Sequence, residues 1–163
     1  MTTIIGISGS LRKASFNSAL LRAAVDVTPA GATLEIASIQ GIPLYDGDVE
    51  ASTGLPASAQ ELVARIAAAN GLLIASPEYN FSVPAVLKNA IDWVTRAKPM
   101  PLRGRTAVLL SASPSLVGGN RALWVLRMSL EVVGVHVYPD MFSLASAHQG
   151  FDDAGALKDE ALA

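Results

Sequence analysis

The sequence predicts an α/β domain of three layers: a five-stranded parallel sheet with helices on both faces, in strand order 2-1-3-4-5. Three observations carry that prediction. Short apolar runs alternate five times with segments of helical periodicity. Several of the runs lack the polar alternation of half-exposed strands, as strands covered on both faces do. Gly, Pro and Asn stand at most of the boundaries, where breakers belong. No internal repeat or second domain is visible, so residues 1–163 read as one domain.

Taken in order, Thr3 to Ser8 is a short apolar run bounded by Gly and reads as the first strand. From Ser18 to Val27 the residues Ala19, Leu20, Ala23, Ala24 and Val27 recur at helical spacing, and Thr28-Pro29-Ala30-Gly31 stops that helix. Thr33 to Ile39 is the second strand. Gly41 to Pro56 mixes Gly, Pro, Asp and Ser with little period and reads as a long surface loop. A helix follows from Ala57 to Asn70, with Leu62, Ile66 and Ala69 on one face and Asn70-Gly71 closing it. Leu72 to Ala75 is the third strand, ended by Ser76-Pro77.

Beyond the loop at Glu78 to Ser82, a helix runs from Val83 to Arg96 with Pro84 in its first turn. Arg105 to Ser111 is the fourth strand, Ala112 to Gly119 a loop, and Asn120 to Val133 a helix ending at Gly134. Val135 to Tyr138 begins the fifth strand. Asp152 to Leu162 reads as a last short helix.

Composition narrows the class. Charged residues make up 16% of the 163 and hydrophobic residues 51%, against roughly 25% charged in a typical soluble domain. That shortfall predicts that some apolar surface is buried between subunits, in a homodimer or homotetramer. A net charge of -2 without a basic cluster argues against nucleic-acid binding. The absence of cysteine excludes disulfides, thiol catalysis and Cys-based metal sites. Asp46, Asp48 and Glu50 alternate in a loop without further ligand candidates, so no metal is expected. There is no signal-peptide pattern and no apolar run of about 18 residues, which predicts a cytoplasmic protein without a membrane span.

The chain is organised around Gly9 to Asn17. A strand, a hydroxyl-rich turn and a helix start together make an anion site, because the first N–H groups of a helix point outward at its positive end. Gly9 permits a tight turn, Ser10, Ser15 and Asn17 offer side-chain donors, and Arg12 supplies positive charge. Neither the Walker sequence nor Gly-x-Gly-x-x-Gly is present, which argues against a nucleoside triphosphatase and the usual dinucleotide site. By itself the stretch is equally an ordinary loop whose Ser and Asn serve as caps. Strand order shifts that balance: the sheet reverses between strands one and three, so Gly9–Asn17 and Pro77–Ser82 meet at the carboxyl edge with Ala112–Gly119 alongside. The backbone of Glu78-Tyr79-Asn80 offers alternating donors and acceptors to a flat heteroaromatic. FMN has that shape at one end and a phosphate at the other.

Gly9-Ser10-Leu11-Arg12 with Ser15 and Asn17, Pro77-Glu78-Tyr79-Asn80 with Ser82 and Pro84, and Leu87-Lys88-Asn89-Ala90-Ile91-Asp92-Trp93 resemble the NADPH-dependent FMN reductase family, flavodoxin-like proteins that include quinone and chromate reductases. Ser113 to Gly118-Gly119, Arg121 and Leu126-Arg127 fit the same pattern, so the resemblance spans nearly the whole chain. It implies that Ser10, Arg12, Ser15 and Asn17 contact the FMN phosphate, that the backbone of Glu78 to Phe81 holds the ring edge, and that Ser113 lies nearby. Leu11, Phe16 and Pro77 complete the implied cofactor-binding set. Lys88 to Trp93 would pack between subunits of a dimer or tetramer. Ser115 departs from the family, which often has Gly there, and the chain ends at Ala163 where relatives usually extend their last helix.

The function expected from this is FMN-dependent transfer from NADPH or NADH to a quinone-like or other small acceptor, by a ping-pong mechanism in which the flavin carries the chemistry and no side chain acts as acid or base. One alternative is a flavodoxin-type electron carrier without efficient NAD(P)H turnover. A serine hydrolase is another, since Gly6-Ile7-Ser8-Gly9-Ser10 approaches the nucleophile elbow, but its last position is Ser and the only histidines are His136 and His148.

Overall fold

The computed structural model describes residues 1–159. Five strands, β1 (Thr2–Ser8), β2 (Ala32–Ala37), β3 (Gly71–Ala75), β4 (Thr106–Ala112) and β5 (His136–Leu144), form one sheet in the order β2-β1-β3-β4-β5. Every neighbouring pair is parallel, in a register that sets Ile7 beside Ile74 and Ile74 beside Leu109. The chain moves one way from β1 to β2 and the other way from β3 onward, so the switch point falls between β1 and β3.

Alternate side chains of these strands feed two apolar layers. One face of the sheet, through Ile5, Ile7, Leu72, Ile74, Ala107 and Leu109, packs against α3 (Ala57–Ala68), α4 (Ala85–Val94) and α5 (Asn120–Glu131). Each helix presents a buried stripe: Leu62 and Ile66 from α3, Leu87, Ile91 and Val94 from α4, and Leu123, Leu126 and Leu130 from α5. Toward the opposite face, α1 (Phe16–Asp26) packs through Leu20 and Leu21 with Ala75, Leu110 and Ala112. The segment after β5 completes that side, with Phe151 stacked on Phe16 at 6.4 Å between ring centroids and Leu157 against the same cluster.

Two stretches differ from the sequence expectation. The long surface loop contains a two-turn helix, α2 (Gly47–Thr53), capped where the Asp46 side chain accepts from Asp48 N–H at 2.8 Å. None of its residues is buried, so it leaves no apolar period to read. The helix expected at Asp152–Leu162 is not formed over residues 152–159, where Phe151 and Leu157 meet in a single antiparallel bridge; its residues 160–163 lie outside the described residues. A one-turn helix, α6 (Ala147–Gly150), comes earlier instead. Strand five also runs further than its apolar start, to Leu144. It bulges opposite Ala107–Leu109, where Arg127 donates to the Val137 and Pro139 carbonyls. Among the described residues no helix is long and apolar enough to cross a membrane.

Candidate functional site

Three loops leave the carboxyl ends of β1, β3 and β4 side by side. The first is drawn against the second by a close approach at Gly9. Its N–H donates to the Ala75 carbonyl at 2.8 Å, and a methyl group there would stand 2.9 Å from Leu87 Cδ2 and 3.3 Å from Pro77 Cδ. A larger residue at that point would have to push the Leu87 side chain aside. Beyond it, Ser8 Oγ and Ser18 Oγ share a hydrogen bond of 2.8 Å, so the loop leaves and returns at fixed points.

Ser15 is the N-cap of α1, its Oγ accepting from Ser18 N–H at 3.3 Å. The amide N–H groups of Phe16 and Asn17, in the first turn of that helix, make no hydrogen bond among the described residues. They open into a cavity of about 260 Å³ lined by Ser10, Arg12, Ser15, Phe16, Asn17, Pro77, Glu78, Tyr79, Ala112, Ser113 and Pro114. Arg12 is exposed at its edge and forms no ion pair among the described residues. A helix start with open donors beside an uncommitted guanidinium is a setting for an anion.

Nine of the residues expected at the site line this cavity. Leu11 lines a neighbouring one of about 290 Å³ with Gly9, Ser10, Arg12, Tyr79 and Val86, and Tyr79 borders both. Asn80 and Phe81 line neither. Ala112 and Pro114 of the third loop, and Val86 of α4, line these cavities without a sequence signal of their own.

One side chain does work other than the expected one. Asn17 was expected to offer a side-chain donor to a phosphate. It is buried, and its amide donates to the Ala112 carbonyl at 2.9 Å while its Oδ1 accepts from Ala112 N–H at 3.0 Å. Only its backbone is left for the cavity. The Glu78 carboxylate reaches α5, meeting Arg121 NH2 at 2.6 Å and accepting from Arg121 N–H at 3.1 Å. The turn after it, Tyr79 to Ser82, is closed by two reciprocal backbone bonds of 3.1 and 3.0 Å.

The third loop is anchored to the end of β5. Ser113 N–H donates to the Leu144 carbonyl at 3.1 Å, and the Ser113 carbonyl accepts from Ala147 N–H at 3.0 Å. Its hydroxyl accepts from Ser115 N–H at 3.2 Å. At the end of this loop Gly119 has φ 84°, and a methyl group on it would overlap Ser111 Oγ.

A wider cleft lies elsewhere, about 400 Å³, lined by Ile4, Val27, Leu34, Leu73 and Val108 with residues that begin the strands, Thr2, Gly71 and Thr106. It sits at the amino ends of the strands and gathers no charged group. Neither His136 nor His148 lines the cavities at the loop cluster, so Ser8 and Ser10 have no imidazole there for hydrolase chemistry.

A doubly wound parallel sheet with an anion cradle at its β1/β3 switch point defines a flavodoxin-like nucleotide-binding protein. The family model for NADPH-dependent FMN reductase matches residues 2–149, and the chain belongs to that family. It is 44% identical over 159 residues to an NAD(P)H-dependent FMN reductase of Pseudomonas aeruginosa, covering 96% of this chain and 85% of that protein. A quinone reductase of Escherichia coli is 41% identical over 128 residues, which are 78% of this chain and 68% of the relative. Among solved structures, the flavoenzyme NAD(P)H:(acceptor) oxidoreductase FerB from Paracoccus denitrificans superposes with a TM-score of 0.85 at 28% identity, covering 99% of this chain and 88% of that one. The protein is thus an oxidoreductase of the flavin-dependent, NAD(P)H-using kind.

Proposed function

We propose that residues 1–163 act as one FMN-binding domain that carries electrons from NADPH or NADH to quinone-like or other small acceptors. The observation behind this reading is the 260 Å³ cavity where the open N–H groups of α1 and the guanidinium of Arg12 face the second and third loops. In it, the Phe16 and Asn17 amides, the Ser10 and Ser15 hydroxyls and Arg12 hold the phosphate. The ring edge lies along the backbone of Glu78 to Phe81, with Pro77 and Ser113 beside it and Leu11 on the adjoining wall.

FMN bound there would supply the redox chemistry between nicotinamide and acceptor. The chain's own part is to hold and orient. Open N–H groups offer donors without reorganising, Tyr79 borders both loop cavities, and no side chain there is required to move a proton. Donor and acceptor use one exposed mouth in turn, which makes turnover ping-pong.

The low charge content and the exposed residues Trp124 and Met128 on α5 and Val132 at its C-cap, spaced four apart, support a homodimer or homotetramer. A cytoplasmic location accords with the absence of cysteine. The test is spectroscopic. Protein reconstituted with FMN should bleach on addition of NADPH under nitrogen and recover its colour when a benzoquinone is added. FMN that binds but does not bleach would assign the electron-carrier role instead.

A further inference from the structure

The turn Tyr79-Asn80-Phe81-Ser82 holds both central residues at positive φ, 51° at Asn80 and 65° at Phe81. With its reciprocal bonds, that is a type I′ turn. Asn tolerates such a backbone and Gly prefers it, but an aromatic residue at the second position is costly. Phe81 is moreover 65% exposed, so burial of its ring in a core does not hold it there. A strained backbone persists only where the surroundings over-determine it.

What over-determines this one is a closed ring of contacts with α5. Arg121 places its guanidinium 3.7 Å from the centroid of the Phe81 ring. The same guanidinium is bound by Glu78, whose Oε1 takes Nε at 2.7 Å and NH2 at 2.6 Å, while Oε2 takes the Arg121 amide. The Glu78 side chain is only 9% exposed. One residue of α5 therefore grips the turn on both sides, at Glu78 before it and Phe81 within it.

We propose that Arg121 is a positioning residue: through Glu78 and Phe81 it fixes the left-handed turn whose first residue, Tyr79, walls the loop cavities, and so sets how the second loop meets the flavin. The last step rests on the FMN reading above; the clamp on the turn does not. Asn80 and Phe81 line neither cavity, which suits side chains that hold the wall and leave the backbone of the turn to the ring edge.

Two measurements separate these. In the flavin-free protein, Arg121→Ala should speed hydrogen exchange at the Tyr79 and Ser82 amides by about tenfold or more. In the FMN-loaded protein it should alter the ratio of affinities for oxidised and reduced FMN by about tenfold, with the phosphate-dependent preference for FMN over riboflavin retained. Arg121→Lys, which keeps the charge but not the planar fork, should fall between. The decisive arm is Arg121→Ala combined with Phe81→Gly: glycine adopts the turn unaided, so both readouts should return toward wild type. Exchange rates unmoved by Arg121→Ala, or no recovery with Phe81→Gly, would overturn the clamp. An altered exchange rate with unaltered flavin affinities would confine Arg121 to the turn and overturn its role toward the flavin. Wild-type protein that ignores FMN would count against the proposed function while leaving the exchange arm to decide the clamp.

Discussion

The side chain of Asn17 and the backbone of Ala112 bond one another reciprocally, amide to carbonyl at 2.9 Å and N–H to Oδ1 at 3.0 Å, across 95 residues of sequence. This pair joins the start of α1 to the end of β4, so the first and third loops are fastened together at the floor of the cavity. Both groups are out of water, where an unpaired peptide group is expensive.

Asn17→Ala should therefore leave a buried N–H and a buried C=O without partners and cost about 2 to 4 kcal/mol. Urea unfolding should show a lower midpoint with an unchanged slope, and affinity for FMN should fall with it. An unchanged midpoint would show that the two loops are held by other means.

Arg12→Ala should weaken FMN by about tenfold to a hundredfold, the range of a charge-assisted hydrogen bond to phosphate. Riboflavin, which lacks the phosphate, should bind both proteins alike. Titration by quenching of flavin fluorescence, at low and at high salt, reads both effects.

Gly119→Ala places a side chain at φ 84° and against the buried Ser111 Oγ. The backbone conformation alone costs about 1 to 2 kcal/mol and the overlap adds to it. Adding Ser111→Ala should recover the part due to overlap and leave the part due to the backbone. Thermal unfolding of the two variants gives the partition.

The segment before α2 is held to α4 through Trp93, whose Nε1 donates to the Pro43 carbonyl at 2.8 Å, and α2 itself is tied by charge to Arg96, just past α4. Tyr45 donates to Glu50 at 2.7 Å, and Arg96 binds the same carboxylate at 2.9 Å. The Tyr45 hydroxyl bond, followed by that of Arg96, lowers the Glu50 carboxyl below its ordinary value. The bond to Glu50 raises the Tyr45 hydroxyl above its own, near 10.0. A lowered carboxyl contributes above its unfolded value and fails as pH falls through its folded one; a raised tyrosine contributes below its unfolded value and fails as pH rises through its folded one. In a Trp124→Phe background, Trp93 emission should thus change at the acid and alkaline ends and stay flat between. Glu50→Gln should abolish the acid-side change.

Much of this architecture is legible in the amino acids. Apolar runs such as Leu72 to Ala75 are bounded by Gly71 and Pro77, and their alternation with helical segments leads to the strand order and to the three loops that meet. Features without a local period are harder to read. Helix α2 buries nothing and rests on its Asp46 cap. The stretch 152–159 is rich in Ala and Asp and looks helical, but Phe151 and Leu157 are drawn to the α1 side of the sheet instead. Nor does anything near Glu78 announce Arg121, 43 residues away, or anything near Asn17 announce a peptide group in β4. Partners at such distances are chosen by the finished fold.

The cavity's walls come from within residues 10–17, 77–79 and 112–114, carried by three adjacent strands that are distant along the chain. No early fragment of the chain contains such a pocket; it comes into being only when β1, β3 and β4 have assembled. The cofactor is therefore a late arrival, which selects the assembled molecule from its unfolded precursors and protects it in proportion to the supply of ligand.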